Sequence, residues 1–183
     1  MGLKIENTKI SGLYVVEGSP IADARGSFAR LFSADELGDV LGERKIVQIN
    51  QSKTNAVGSV RGLHFQRVPK AEMKFVRCLW GRVWDVALDL RAGSPTFMQW
   101  HAEELSGTNN RMMVIPEGFA HGFQVLEAES VLLYLHTEFY DPESEGAVRY
   151  NDPLPNISWP LPVVDLSARD AGHPLLDQTF RGL

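Results

Sequence analysis

The sequence is poor in several features that would have narrowed its role at once. It holds one cysteine, Cys78, in 183 residues, which excludes an intrachain disulfide and suits a reducing compartment. No apolar run approaches the length of a membrane span. The opening MGLKIENTKI lacks the apolar core of a signal peptide, and Glu6 stands where a myristoylation site needs Ser or Thr. Basic residues are not in excess. Lys and Arg total 18 against 23 Asp and Glu, for a net charge of -5, which argues against a broad nucleic-acid surface. Low-complexity tracts and internal repeats are also missing. These absences point to a soluble cytoplasmic protein with neither nucleic acid nor membrane as partner.

What is present suits a globular fold. The chain is 44% hydrophobic and 22% charged, and its length can bury a core without disulfide or metal staples. It reads as one domain over residues 1–183. One helix is expected in SADELGDVLGER, with Ser33 as N-cap, Glu36 as its capping-box partner, Leu37, Val40 and Leu41 as the apolar stripe and Gly42 as the stop. The rest reads as strands. MKFVRCLW and VWDVALDL, joined at Gly81-Arg82, predict a hairpin. FMQWHAEEL, RMMVI, GFQVLEA and ESVLLYLHTEFY follow at short intervals, which predicts an all-β sandwich or barrel with few, short helices. From Asp141 onward the chain is Pro-rich and irregular, and is expected to wrap the barrel.

RGLHFQ, residues Arg61 to Gln66, places a cation and an imidazole in one strand-like stretch. PEGFAHGF spaces Pro116, Gly118 and His121 as Pro-x-Gly-x-x-His. That spacing resembles the second motif of the cupins, jelly-roll barrels in which this His often binds a metal with a His-x-His and a Glu. Here the earlier strand reads His64-Phe65-Gln66, and Lys74 follows where a carboxylate would help. A cation is a poor neighbour for a divalent ion, so no metal is expected.

A wider set of segments runs in order along the chain: DARGSFARLF, VQINQS, VRGLHFQ, KFVRCLWGRVWDVALDLR, SPTF, IPEGFAHGF, YLHTEFYDP, YNDPLPNISWP and LSARD. Together they resemble the dTDP-4-dehydrorhamnose 3,5-epimerase family of cupin-like sugar-nucleotide enzymes. The resemblance implies a nucleoside-diphosphate 4-keto-6-deoxy sugar as substrate, an enolate intermediate, no cofactor and a homodimer, for which an exchanged N-terminal strand is plausible. His64 matches the base, a role an imidazole suits. Asp170 matches its orienting carboxylate, Tyr134 the proton donor and Lys74 the cation beside the keto oxygen. Arg25, Arg61 and His121 match substrate-binding positions, and Arg suits phosphate oxygens. Gln48 and Asn50 match nucleotide contacts, Tyr140 the aromatic under the base, and Glu145 and Arg169 further substrate-binding positions. Alternation places Leu132, Tyr134 and His136 on one strand face, and Gly62, His64 and Gln66 on one face of another. His101, His136 and His173 match no role.

Departures from the family pattern open questions. Arg30 stands where the family commonly has Glu, and a guanidinium donates where a carboxylate accepts. That exchange would suit an acceptor nitrogen, as in cytosine, or a phosphate oxygen. Leu135 replaces a Lys after the donor Tyr, and Arg169 replaces a Lys before Asp170. Some relatives invert only C3 or only C5. A metal-dependent cupin and a non-catalytic nucleotide-sugar binder are the rival readings.

Overall fold

The computed structural model describes residues 2–183. Its strands are β1 (Leu3–Asn7), β2 (Tyr14–Gly18), β3 (Ile21–Asp23), β4 (Gly26–Phe28), β5 (Gln48–Thr54), β6 (Val60–Gln66), β7 (Lys74–Trp80), β8 (Arg82–Asp89), β9 (Trp100–Ser106), β10 (Arg111–Ile115), β11 (Phe119–Val125), β12 (Ser130–His136) and β13 (Glu145–Ala147). Two short helices, α1 (Gly38–Leu41) and α2 (Ala168–Gly172), complete the described elements. A six-stranded sheet runs β1-β2-β10-β7-β12-β5 and a five-stranded sheet β13-β6-β11-β8-β9, with β3 and β4 as a separate hairpin. Every pairing between strands is antiparallel. The all-β expectation therefore holds. No helix among the described residues is long and apolar enough to cross a membrane.

Apolar residues fill both the space between the sheets and the outer face of each. Val76, Cys78, Val83, Met113, Phe123, Val125 and Leu132 form the inner cluster. Leu37 and Leu41 pack with Phe75 and Leu135 outside the larger sheet. Trp159, Leu176 and Phe180, from the irregular C-terminal segment, pack against Leu63, Val86 and Leu88 outside the smaller one. β7 and β11 are buried on both faces along most of their length, and their mostly apolar sequences are interrupted by the buried polar Lys74, Arg77, His121 and Gln124.

Two sequence expectations need correction. The helix over SADELGDVLGER contracts to Gly38–Leu41, with turns before it. Ser33 Oγ does accept the Glu36 N–H, at 3.4 Å. The Glu36 carboxylate, however, accepts the Leu3 N–H at 2.6 Å and pairs with Arg30 rather than turning back to Ser33. A long-range partner outcompetes the local cap, and Gly38 weakens the segment it opens. The Leu37 and Leu41 stripe is still buried.

The expected β7–β8 hairpin is also absent. β7 pairs with β10 and β12, while β8 pairs with β9 and β11 in the other sheet. Gly81 is a corner, not a hairpin loop. Its φ is +74°, and a Cβ there would lie 2.4 Å from Ser130 Oγ. Ser130 Oγ accepts the Arg82 N–H at 3.0 Å, which fixes the corner. The two strands thus face each other across the core, where Cys78 and Val83 share one cluster.

A second irregularity shapes the interior. His121 pairs with His64, but Phe123 pairs with Arg61, so β6 carries one extra residue at Gly62. This bulge resets the alternation and turns Arg61 to the same side as His64. Gly62 has φ +114°, and a Cβ there would meet the His121 carbonyl and Gly122 Cα at 2.6 Å. Replacing Gly62 by Ala is expected to cost about 2–4 kcal/mol, read as a lower urea midpoint at unchanged m-value.

Candidate active site

The inner faces of the strands change character along the barrel. On β7, Val76 and Cys78 belong to the apolar cluster while Lys74 is polar; on β12, Leu132 is apolar while Tyr134 and His136 follow. The polar ends converge on a cavity of about 690 Å³. Its walls include Asn50, Ser52, Arg61, His64, Gln66, Glu72, Lys74, His121, Tyr134, His136, Tyr140, Glu145, Arg169 and Asp170. His64 and His121 come from the five-stranded sheet. Lys74, Tyr134 and Asn50 come from the six-stranded one.

His64 Nε2 lies 2.8 Å from Asp170 Oδ1. Asp170 is held from two further sides. Its Oδ2 accepts the Gly62 N–H at 3.3 Å, and its own N–H donates to Ser167 Oγ, the N-cap of α2, at 3.0 Å. Burial works against its charge, but the His64 contact, the Gly62 N–H and Ser167 outweigh it, and the carboxyl lies below its ordinary range. An ionised Asp170 accepts a hydrogen bond from Nε2–H, the tautomer that places the lone pair of a neutral imidazole on Nδ1.

Tyr134 donates to or accepts from Ser52 Oγ at 3.0 Å. Burial pushes its phenol well above the ordinary tyrosine value, against the pull of that hydrogen bond, so the proton stays on. Its ring meets His121 edge-on with centroids 6.1 Å apart and stacks on His136 at the same separation. His121 Nε2 lies 2.7 Å from Asp85 Oδ1. Asp85 is wholly buried, and burial raises its carboxyl.

Lys74 donates to the His64 carbonyl at 3.2 Å and pairs with Glu72 at the same distance. The other Glu72 oxygen accepts His136 Nδ1–H at 2.7 Å, and Asn50 donates to His136 Nε2 at 3.4 Å. Burial opposes the Glu72 charge, yet His136 and Lys74 together hold its carboxyl below the ordinary value. At the rim, Tyr140 donates to Glu145 at 3.1 Å, and Glu145 pairs with Arg169.

Residues 7–178 match the family described as dTDP-4-dehydrorhamnose 3,5-epimerase. The chain belongs to that family. It is 43% identical over 175 residues to the dTDP-4-dehydrorhamnose 3,5-epimerase of Salmonella typhimurium, which covers 94% of this chain and 95% of that one. It also matches the crystal structure of a dTDP-6-deoxy-D-glucose-3,5-epimerase from Legionella pneumophila, solved with dTDP-4-keto-L-rhamnose. There the TM-score is 0.90 and the identity 44%, covering 94% of this chain and 92% of that one. A dTDP-4-dehydrorhamnose 3-epimerase from Streptomyces niveus is 35% identical over 175 residues, covering 95% of this chain and 84% of its own. The protein is thus an isomerase of the sugar-nucleotide epimerase family.

Within this epimerase frame, most of the candidate residues meet in one cavity. His64, Lys74, Tyr134, Asp170, Asn50, Arg61, His121, Tyr140, Glu145 and Arg169 all line it. Gln48 sits just outside, accepting the Tyr140 N–H at 3.3 Å. Arg25 and Arg30 lie elsewhere. Arg25 pairs with Asp23 on the exposed β3–β4 hairpin, and Arg30 is engaged by Glu36. Neither guanidinium lines this chain's own cavity, so a contact from Arg30 to a base or a phosphate oxygen there is not made within one chain. Glu72, Ser52, Asp85 and His136 were not foreseen as site residues. Alternation offered a signal for two of them, since His136 shares a face with Tyr134, and Glu72 stands two residues before Lys74.

Exchanging Asp170 for Asn is expected to lower turnover about 10²–10⁴-fold. Because the folded carboxyl is depressed, its stability contribution is present above the unfolded value near 4 and fades as pH falls below it. The urea-midpoint gap between wild type and variant should therefore narrow from pH 6 to pH 3.

Proposed function

We propose that this chain inverts C3 and C5 of a dTDP-linked 4-keto-6-deoxyhexose, converting dTDP-4-dehydro-6-deoxy-D-glucose to dTDP-4-dehydro-L-rhamnose. The observation that carries this reading is the placement of a basic nitrogen and a protonated phenol on opposite sheets. His64 stands on β6 with Nδ1 free, and Tyr134 stands on β12 with its proton retained. Inversion needs a base on one face of the sugar and an acid on the other. The protons on C3 and C5 are acidic because both carbons flank the C4 ketone. His64 Nδ1 takes the proton, the C–H pair becomes the enolate double bond, and the ketone electrons move onto O4. Lys74 stabilises that oxyanion, and its bonds to Glu72 and the His64 carbonyl keep it in place. Tyr134 then protonates carbon from the far side. Arg61 and Arg169 supply cations for the diphosphate, and Tyr140 a ring for the base.

The reading extends to the assembly and its setting. The β3–β4 hairpin is exposed along its whole length, with Ile21 58% and Phe28 67% accessible. Two such apolar side chains on a hairpin support exchange with a second chain, in a homodimer that brings Arg25 and Arg30 toward the partner's cavity. Residues 1–183 act as one jelly-roll domain in this reading. The lone thiol, buried at Cys78, suits work in the cytoplasm.

Proton NMR of dTDP-4-keto-6-deoxyglucose in D2O tests the chemistry. Loss of both the C3 and C5 proton signals is expected; loss of one alone would reduce the reading to a single-centre epimerase, as in the 3-epimerase relative. In the Tyr134→Phe variant, exchange should continue while inversion falls at least about 100-fold. For the assembly, light scattering should give the mass of two chains, and Phe28→Asp should bring it toward one.

A further inference from the structure

The epimerase reading leaves one neighbour of the dyad without a task. His173 follows Asp170 by three residues, at the C-cap of α2. Its Nε2 lies 3.9 Å from the same Asp170 oxygen that His64 contacts. That nitrogen is buried and has no hydrogen-bond partner among the described residues. A buried polar atom without a partner is costly, so a lone pair held there is available to a ligand. The His64 and His173 rings meet edge-on with centroids 6.3 Å apart, and the ligand atoms of His64, Asp170 and His173 all lie within 4.8 Å of one another.

We propose that His64, Asp170 and His173 form a binding site for a divalent cation of borderline softness, Zn²⁺ foremost, and that its binding switches the base off. Zn²⁺ sits about 2.0–2.2 Å from imidazole nitrogen and carboxylate oxygen, which sets tetrahedral ligand pairs about 3.3 Å apart. The present separations of 2.8 Å and 3.9 Å straddle that value. Two imidazoles and a carboxylate leave a fourth position open, as in exchangeable rather than structural zinc sites. The Gly62 N–H on Asp170 Oδ2 supplies outer support for the carboxylate. Of the cations lining the cavity, Lys74 pairs with Glu72 and Arg169 with Glu145, while Arg61 donates to the Lys53 carbonyl. The site differs from the cupin metal position, which would need a ligand at Gln66. That amide is committed to the Lys70 and Phe139 carbonyls and the Asp141 N–H.

The switch follows from counting one proton. Neutral His64 carries its proton on Nε2, against Asp170, and keeps the Nδ1 lone pair for the sugar. A cation takes the Nε2 lone pair, so the proton moves to Nδ1 and the base is gone. The ring keeps its proton count, and nothing is oxidised or reduced. This half of the proposal rests on His64 being the base; the site itself does not.

Calorimetric titration of ZnCl2 into EDTA-treated, dialysed protein tests it, with the D2O exchange assay run in parallel on wild type and His173→Ala. Wild type is expected to bind one ion per chain and to lose exchange over the same concentration range, with EDTA restoring it. The variant should bind at least about tenfold more weakly and keep its metal-free rate. No saturable binding, or equal affinity in the two proteins, would overturn the site. Binding without inhibition would overturn the switch while leaving the site. Absence of exchange in metal-free wild type would count against the epimerase reading, and calorimetry would still decide the cation site.

Discussion

Two backbones pass at Gly62 and Gly122 with no side chain between them, and the rest of the site depends on that approach. In a regular strand, residues three apart point to opposite faces, so Arg61 and His64 could not share a cavity. The extra residue at Gly62 brings them together. The same bulge aims the Gly62 N–H at Asp170 Oδ2. One local insertion therefore sets the cation, the imidazole and the carboxylate that orients it. The close contact leaves no room for even a methyl group, so the geometry is enforced by volume as well as by hydrogen bonds.

Around that fixed point the barrel divides its interior between two tasks. Cys78, Val83, Phe123, Val125 and Leu132 close one end by packing. Lys74, Asp85, His121, Tyr134 and His136 occupy inward positions at the other end, and each has a hydrogen-bond partner. Burying polar groups in this way is tolerable because most of their atoms are paired, Asp85 Oδ2 being an exception among the described residues. Burial then makes them chemically distinct. The same low-polarity surroundings that keep a proton on Tyr134 fail to protonate Asp170, which has direct donors on both oxygens.

Much of this was legible in the sequence, unevenly and for physical reasons. Strand alternation correctly grouped Leu132, Tyr134 and His136, and the family pattern gathered His64, Lys74 and Asp170. The Gly81 turn was visible, but its partner strands were not. Both β7 and β8 are buried on two faces, and a continuous apolar run does not say which strand it pairs with. The capping box failed because Glu36 had a better partner in Leu3, 33 residues away. Glu72 was missed because it lies outside every segment of the family pattern, and His136 because it matched no role within its own; their meaning comes from a pairing across 64 residues. Arg30 was read as a substrate contact, and within one chain it pairs with Glu36 outside the cavity, a placement no local pattern announces.

The order in which the chain is made gives the C-terminal wrap a further meaning. His64 and Asp170 are separated by 106 residues, and Asp170 lies on a helix reached only after both sheets are complete. A growing chain emerges N-terminus first, so the barrel can collapse while its imidazole still lacks the carboxylate that sets its tautomer. Trp159, Leu176 and Phe180 then seal the outer face of the smaller sheet and deliver Asp170 with them. Covering of that apolar face and completion of the His64–Asp170 pair are thus one event. A chain ending before Asp170 would carry every strand segment, with its imidazole unpaired and part of that face bare.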